Sequence, residues 1–303
     1  MPPASGPRAS TGRIALALFV IYLVWGSTYL AIRIAIDSLP PLLMAATRFL
    51  SAGILLFLWE RARGTPWPSA AHWRSAAVVG GLLLLGGNGL VCWAQQWVPS
   101  GLAALVIAMV PLWMVLFETV ATRAWPSGRV LAGLGIGFTG LSLLVAPRLG
   151  VTGDARQGPA VAALLGATLS WSLGSYRARS APRPASGLMA AAMQMICGGT
   201  LLVGMGLLLG EGPRVRLDTI SRASILALAY LSLIGSILAY SCYMWLLEVS
   251  SAALATTYAF VNPVVAVLLG YAILGEPLTA RTLVAAAVIV AGVALITLGR
   301  KVK

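Results

Sequence analysis

The feature that most constrains this chain is a series of ten apolar runs separated by short polar segments. The runs contain 208 of the 303 residues, and only three charged side chains fall inside them, those of Arg33, Arg48 and Glu118. The runs cover 14–36, 41–59, 75–97, 101–122, 130–146, 160–176, 187–209, 223–247, 252–274 and 283–298. A helix of about 20 apolar residues crosses the roughly 30 Å hydrocarbon core and satisfies its own backbone hydrogen bonds. We therefore predict an all-α integral membrane protein with ten transmembrane helices.

The composition excludes several other classes of protein. Charged residues make up 10% of the chain, whereas an average soluble domain has about 25%, and the mean hydropathy is +0.91. The net charge of +13 lies in short clusters between the apolar runs, which is typical of membrane-protein loops rather than of a nucleic-acid surface. The three cysteines lie inside apolar runs without metal-ligand spacing. We expect a lipid bilayer and a small-molecule substrate as partners, and no nucleic acid, metal, cofactor or catalytic cluster.

The distribution of Lys and Arg predicts the orientation in the membrane. With the N-terminus in the cytoplasm, 13 basic residues lie on the inner side and 6 on the outer side. The positive-inside rule then favours cytoplasmic N- and C-termini, in agreement with an even number of spans. The first run follows Arg8 and Arg13 as a signal peptide would, but it is too long, and nine further spans follow it. We therefore expect it to be retained.

The two halves of the chain resemble each other. A shift of 152 residues aligns Trp93 with Trp245 and Pro111 with Pro263, and a shift of 146 aligns Trp25 with Trp171. Each half contains five runs, and an odd number means that the halves cross the membrane in opposite directions. This is an inverted-topology repeat, the arrangement of many secondary transporters.

The repeat predicts the organisation of the chain and the place of its site. We expect a cytoplasmic tail (1–13), a first five-helix repeat (14–146), an outer linker (147–159), a second five-helix repeat (160–298) and a basic cytoplasmic tail (299–303). In such folds the substrate binds near the membrane midplane, where the halves meet. Pro111 and Pro263 interrupt matching spans, so they are candidate hinges, although a packing kink without a ligand explains them as well.

Polar and aromatic side chains inside the spans are candidates for the site. Asn88, Cys92 and Gln95 share one helix face, and Trp25 and Trp171 lie halfway through their spans. Amides at such depth either contact a small zwitterion or join helices, and indoles either contact a substrate or fill the core. Gln95 lies close to the outer end of its span, so we expect its side chain to be solvated. The candidate substrate-binding residues are Trp25, Asn88, Cys92, Met109, Trp171, Tyr240, Tyr258 and Asn262.

Two arginines lie inside the spans. Arg33 has Asp37 four residues later, and we expect an ion pair within the helix. Arg48 lies about 10 Å from the outer end of its span, where a charge suggests either an anion site or a structural tie between helices. No Asp or Glu lies near the midpoint of any run, which disfavours a proton-driven exporter of cationic drugs and favours facilitated or exchange transport.

Five short motifs are specific enough to compare with known families: WGSTY at 25–29, RF at 48–49, PSGLAA at 99–104, ALATTY at 253–258 before Asn262 and Pro263, and GEPLT at 275–279. Together they resemble the EamA family of the drug/metabolite transporter superfamily. The resemblance covers nearly all of 14–298. Within the family, the chain is similar to bacterial inner-membrane permeases and, more distantly, to amino-acid exporters. The resemblance implies ten helices and export of amino acids or related metabolites. The Gly–Glu pair at 275–276 corresponds to Arg123 and Ala124 in the first unit, so a symmetric role for Glu276 is not expected.

The sequence thus predicts a monomeric secondary transporter of the bacterial inner membrane. We expect alternating access and amino-acid substrates, including aromatic and large apolar ones. A carrier of sugars, nucleotide sugars or phosphorylated compounds is the alternative, as is a drug exporter. A carrier of phosphorylated or nucleotide-sugar substrates needs two or more Lys or Arg residues in its cavity, and only Arg48 is a candidate. An intramembrane enzyme or receptor needs a convergent set of reactive groups that the sequence does not contain.

Overall fold

The computed structural model describes residues 10–123, 125–145, 155–250, 252–255 and 257–299. All regular secondary structure within these residues is helical. The helices are α1 (Thr11–Ala35), α2 (Pro41–Ala62), α3 (Ala70–Ala94), α4 (Ser100–Ile107), α5 (Val110–Thr122), α6 (Gly128–Val145), α7 (Gln157–Ala178), α8 (Gly187–Leu208), α9 (Arg222–Val249), α10 (Ala252–Ala255), α11 (Tyr258–Leu274) and α12 (Ala280–Gly299). Two short 3-10 turns, Gly212–Arg214 and Leu217–Thr219, lie between α8 and α9.

Six helical segments of the described chain are long and apolar enough to cross a membrane. They are Thr11–Ala35, Pro41–Ala62, Ala70–Ala94, Ser100–Phe117, Gly187–Leu208 and Arg222–Val249. Val261–Leu274 and Ala280–Gly292 are shorter apolar helices. Large apolar side chains such as Phe19, Leu55 and Leu268 are exposed, as expected for helices surrounded by lipid. The all-α prediction with several apolar spans is confirmed for these residues, and the count of ten spans stays a prediction.

Serine side chains define where several helices begin. Ser10, Ser186 and Ser221 each accept a hydrogen bond from the backbone N–H three residues later, at the starts of α1, α8 and α9. At α3, Ser69 and His72 bond reciprocally to each other's backbone N–H at 3.3 Å, which is a capping box. These caps satisfy N–H groups that have no partner within the helix. The single histidine of the chain therefore ends up at a helix start.

Two helices that begin after proline are capped by glutamates from the second half of the chain. Glu211 accepts hydrogen bonds from the backbone N–H groups of Leu42 and Leu43, the latter at 2.9 Å. Glu276 accepts from the backbone N–H of Ser100 at 2.8 Å and from its hydroxyl at 3.0 Å. A carboxylate at a helix N-terminus is favoured by unpaired N–H groups and by the helix dipole. Both glutamates therefore join the two halves.

Helices of the two halves pack against each other, and two of the contacts join equivalent helices of the repeat. The most extensive contacts join α2 to α8 and α6 to α12, and α1 packs on α11 while α7 packs on α3. At the α6–α12 contact, a Cβ on Gly292 would lie 2.6 Å from the Gly137 nitrogen, and one on Gly140 would lie 2.9 Å from the Ile289 nitrogen. Gly140 and Gly292 are 152 residues apart, the spacing of the repeat. Small residues allow this close approach of the backbones.

The fourth apolar run is interrupted at Ala108 and Met109, just before Pro111, which is the second residue of α5, whereas Pro263 lies inside α11. Two expectations about local structure need correction. Gln95 was expected to be solvated but is fully buried. Arg33 donates from Nη1 to the Gln95 carbonyl at 2.8 Å instead of pairing with Asp37, because that carbonyl ends α3 beside it.

Parts of the sequence-based organisation fall on residues outside the described structure. They are 1–9 of the N-terminal tail, 146–154 around the outer linker, and 300–303 of the C-terminal tail. The side chain of Glu118 also lies outside it. Arg123, the one described residue other than glycine with a positive φ (52°), ends α5 in the left-handed conformation that Gly275 (65°) adopts at the end of α11. The two residues are 152 apart, so the helix end is repeated although the side chain is not.

Candidate functional site

A cavity of about 60 Å³ lies between the two halves of the chain. Helices α1, α2, α3 and α4 contribute to its wall from the first half, and α7, α9 and α11 contribute from the second half. Arg48 is the one charged side chain among the described residues that line it. The cavity is smaller than the pockets of about 300–1,000 Å³ that enclose drug-sized ligands. A large substrate would therefore require the lining side chains to move apart.

Four aromatic rings form one wall of the cavity and the packing behind it. The Trp25 ring centroid lies 5.6 Å from that of Trp171, 5.0 Å from Tyr243 and 5.1 Å from Tyr258. The contacts of Trp25 with Trp171 and Tyr258 are edge-to-face, with interplanar angles of 84° and 90°. Such arrangements match the positive edge of one ring to the negative face of another. We call these four residues the aromatic cluster.

Hydrogen bonds fix the polar ends of the aromatic cluster. The Trp171 indole donates to the Tyr258 hydroxyl at 3.1 Å, and the Tyr243 hydroxyl bonds to Ser175 at 2.8 Å. The Trp25 indole donates to the Gly235 carbonyl at 3.2 Å. Buried Tyr and Trp groups normally find such partners. Opening the cluster would therefore break hydrogen bonds as well as ring contacts.

Two π-helical segments shape the cavity, one in α3 (Gly81–Gly89) and one in α9 (Leu231–Leu238). In each segment a side chain from the other half of the chain donates to a backbone carbonyl. Trp25 bonds to Gly235 O in the second segment, and Ser170 bonds to Leu82 O at 2.7 Å in the first. Wide helical turns of this kind recur at functional sites. A side chain from the first span of each half thus donates a hydrogen bond to a widened turn in the third span of the other half.

Several polar side chains line the cavity, and they differ in how many hydrogen bonds they make to the protein. The Tyr240 hydroxyl donates to Gln194 Oε1 at 2.6 Å. The Asn262 amide lies 3.1 Å and 3.2 Å from the carbonyls of Tyr22 and Tyr258, to which its nitrogen can donate. Asn88 lines the cavity, and its amide has no hydrogen-bond partner among the described residues. An amide with a free donor and a free acceptor can contact a polar ligand group directly.

Arg48 has the most unusual environment of the lining residues. Its side chain is 3% exposed, its Nε donates to Ser236 Oγ at 2.8 Å, and the guanidinium lies 4.6 Å from the centre of the Phe49 ring. Nη1 finds no hydrogen-bond partner within the described part of the chain. Buried guanidinium groups are normally paired, because an isolated buried charge is very unfavourable. The bond from Nε to Ser236 thus ties α2 to α9, while Nη1 takes no part in this tie.

The cavity brings together most of the candidate residues. Seven of them line it: Trp25, Arg48, Asn88, Trp171, Tyr240, Tyr258 and Asn262. Cys92 is buried but does not line the cavity, and Met109 lines a second one. Pro111 and Pro263 do not line it either. Tyr243, Gln194 and Ser236 hold lining groups in place, and none of them was among the candidates; the aromatic character of Tyr243 was the one available signal.

The second cavity, of about 230 Å³, is almost entirely apolar. Helices α5 and α6 supply most of its wall, and Met109, Trp125, Pro126 and Leu165 complete it. Its single hydrogen-bonded indole, that of Trp113, donates to Thr168 Oγ1 at 2.7 Å. Trp125 and Phe138 are exposed, so the cavity reaches the outer surface of the helices. Its chemistry suits acyl chains of the surrounding lipid rather than a polar substrate.

Comparison with known proteins identifies the family of the chain. The family model for "EamA-like transporter family" matches twice, at residues 12–146 and 158–298. The chain is 42% identical to the "Uncharacterized inner membrane transporter YedA" of Escherichia coli (strain K12), with 94% of this chain and 90% of the relative covered. It is 26% identical to the "Probable amino-acid metabolite efflux pump" of Salmonella typhimurium, with 95% of each chain covered.

A likeness to a solved structure supports the architecture. A crystal structure of another protein aligns with 95% of this chain and 98% of its own, with a TM-score of 0.66 and 23% sequence identity. At this level of identity the likeness shows the fold alone. The family match confirms the resemblance inferred from the motifs at 25–29, 99–104 and 275–279, and it identifies two units in one chain.

Proposed function

The chain belongs to the EamA-like transporter family, and from this membership and the central cavity we propose that it moves amino acids across the bacterial inner membrane. It is a transporter and not an enzyme, as its family and its relatives are. The observation that carries the proposal is a cavity between the two halves, lined by indole and phenol rings on one side and by amide and guanidinium groups on another. Such a wall suits a small molecule with one apolar and one polar end.

We propose that the two units have opposite orientations in the membrane and that each contains five spans. The pairing of helices supports this arrangement, because equivalent helices pack on each other, α2 on α8 and α6 on α12, as they can about a two-fold axis between the halves. The contacts of α1 with α11 and α7 with α3 also join the halves. Since both halves contribute to one cavity, a monomer suffices for transport.

We propose that the aromatic cluster closes the inner side of the cavity in this conformation. With cytoplasmic termini, Tyr243 lies near the inner end of α9 and Tyr258 at the inner end of α11, whereas Ile32 and Arg48 lie towards the outer ends of α1 and α2. Alternating access then requires the cluster to separate on the inner side while the outer side closes. The π-helical turns and the break at Ala108 and Met109 are the places where helices can bend.

The chemistry of the wall favours amino acids with aromatic or large apolar side chains. Ring faces and edges of the cluster offer apolar contact, while Asn88 and Arg48 offer hydrogen bonds. The name of the Salmonella relative, a probable amino-acid metabolite efflux pump, agrees with this substrate class. A nucleotide sugar or a sugar phosphate would place two or more charges beside a single cation, which fits this wall less well.

Reconstituted transport tests the proposal. The purified protein in liposomes should take up labelled phenylalanine, tryptophan or methionine saturably. Faster uptake when the same compound is present inside indicates exchange, and an unchanged rate indicates facilitated transport. Uptake should not need a proton gradient. Protein-free liposomes and liposomes with heat-inactivated protein are the controls. Saturable uptake of sugar phosphates with no uptake of any of the twenty amino acids would overturn the assignment.

A further inference from the structure

The guanidinium of Arg48 is held in place, but not all of its hydrogen-bond donors have a partner. Ser236 accepts from Nε at 2.8 Å, and the Phe49 ring lies under the guanidinium at 4.6 Å, so both the position and the plane of the group are restrained. Nη1 is left without a hydrogen-bond partner among the described residues, although the side chain is 97% buried and lines the cavity. A purely structural arginine in lipid would place its outer nitrogens on carbonyls or carboxylates.

Three glutamates of the second half have partners outside the cavity. Glu211 caps α2 through the backbone of Leu42 and Leu43, and Glu276 caps α4 through Ser100. Glu248 pairs with Arg183 at 2.6 Å. No carboxylate is among the described residues that line the cavity. The charge of Arg48 is therefore not balanced by any acidic group of the cavity wall.

We propose that Arg48 binds the carboxylate of the substrate and that the site recognises a monocarboxylate whether or not it carries an amino group. A guanidinium fixed through Nε presents its remaining N–H groups in a planar fork that matches a carboxylate. The described residues of the cavity wall offer no acidic partner for an α-ammonium group, which can use neutral groups such as Asn88 and ring faces. Carboxylic acids without the amine, including aryl-alkyl and 2-oxo acids, therefore bind at least as well as amino acids.

This inference rests on the proposed function for its choice of site, but it makes a separate statement about ligand charge. A zwitterion-selective carrier needs two charged contacts, and this cavity has one. An amine without a carboxylate places a positive charge beside Arg48 and is rejected. The site thus recognises the carboxylate charge, whether the net charge of the ligand is −1 or zero.

Binding to the purified protein tests the inference independently of transport. Tryptophan fluorescence or thermal shift is measured with four ligands that share one ring: 3-phenylpropionate, phenylalanine, phenethylamine and 3-phenylpropanol. We expect 3-phenylpropionate to bind at least as tightly as phenylalanine, and phenethylamine to bind at least tenfold more weakly than either. A phenethylamine affinity equal to that of 3-phenylpropionate, or a tenfold preference for phenylalanine over it, would overturn the proposal.

Variants of the two arginines within the spans supply the second arm. Arg48→Gln should weaken 3-phenylpropionate by roughly 10- to 100-fold, the size of a charge-assisted hydrogen bond, and 3-phenylpropanol by less than threefold. Arg33→Gln is the matched control, because Arg33 bonds to the Gln95 carbonyl outside the cavity, and it should leave all four affinities unchanged. Equal weakening of the acid and the alcohol by Arg48→Gln would show a structural role and contradict the proposal.

Two further outcomes separate this inference from the proposed function. If Arg48→Gln does not fold, Arg48→Lys and the ligand series on the unaltered protein still decide the matter, since Lys keeps the charge but not the planar fork. If Arg48→Gln selectively loses acid binding but the unaltered protein transports no amino acid, the proposed function is overturned and the role of Arg48 is supported. If a well-folded Arg48→Gln protein transports amino acids as well as the unaltered protein does, the proposed function stands and the role of Arg48 is contradicted.

Discussion

Trp171 is the residue whose contacts most clearly combine ring packing with a hydrogen bond at the cavity wall. It packs edge-to-face on Trp25 and donates to the Tyr258 hydroxyl. We expect Trp171→Ala to weaken transport of phenylalanine and methionine about fivefold more than that of alanine, because loss of one aromatic contact removes about 1 kcal/mol. Competition of labelled uptake by these amino acids measures the difference.

A second tryptophan provides the control for this prediction. Trp93 packs on Trp97 with a centroid distance of 4.5 Å and does not line the cavity. Trp93→Ala should therefore leave the order of competitors unchanged even if it lowers the amount of folded protein. An equal loss for all competitors in well-expressed Trp171→Ala would assign Trp171 to core packing alone.

Residue positions were predictable from the sequence where repeat symmetry applied, and less so where helix geometry changed. Trp25 and Trp171 align by the repeat, and the structure brings their rings into contact. The shared face predicted for Asn88 and Cys92 assumed an α-helix, but Gly81–Gly89 is π-helical, so the side chains around it follow a different angular period. Asn88 consequently faces the cavity, and Cys92 is buried beside it.

The α6–α12 contact yields a prediction about single glycines. A methyl group on Gly292 would lie 2.6 Å from the Gly137 nitrogen, which belongs to the backbone and cannot rotate away. Gly292→Ala should therefore destabilise the protein by about 1–3 kcal/mol, as overpacking of a close contact does. Thermal unfolding in detergent, followed by loss of helical signal, measures the effect.

Gly135 on α6 is a matched control for the same substitution. A Cβ at Gly135 meets no atom within 4 Å, so Gly135→Ala should unfold at the same temperature as the unaltered protein or slightly higher, since alanine favours helix. Similar destabilisation by both substitutions would contradict the close approach of α6 and α12 at Gly292.

The apolar runs predicted the helices better than they predicted the features within them. The run 75–97 predicted a span, but its helix begins at Ala70, because the Ser69–His72 capping box lies upstream of the apolar residues. Hydropathy averages over side chains and carries no information on carbonyls, so the bonds of Trp25 to Gly235 and of Ser170 to Leu82 could not be read from it. Both depend on contacts between halves far apart in the chain.

At the scale of the whole molecule, the internal repeat accounts for more of the structure than any single motif does. Left-handed helix ends recur at Arg123 and Gly275, and close glycine contacts recur at Gly140 and Gly292. The charged and polar residues do not repeat in the same way, since no described residue on the opposite wall of the cavity is a basic partner of Arg48. A symmetric scaffold with an asymmetric polar lining suits a substrate whose two ends differ.

The orientation of the scaffold is the last prediction. The 13-to-6 distribution of basic residues places both termini in the cytoplasm, so a fluorescent reporter fused after Lys303 should be active and a phosphatase fused there should be inactive. The same reporters inserted after Gly212, between α8 and α9, should give the opposite result, because three helical spans, α9, α10–α11 and α12, separate this point from the C-terminus. Matching signals at both positions would contradict the proposed five-span units, and a reversed pair would keep the units but invert them in the membrane. In the reversed case the aromatic cluster would lie on the outer side of the cavity, and the conformation described would be open to the cytoplasm.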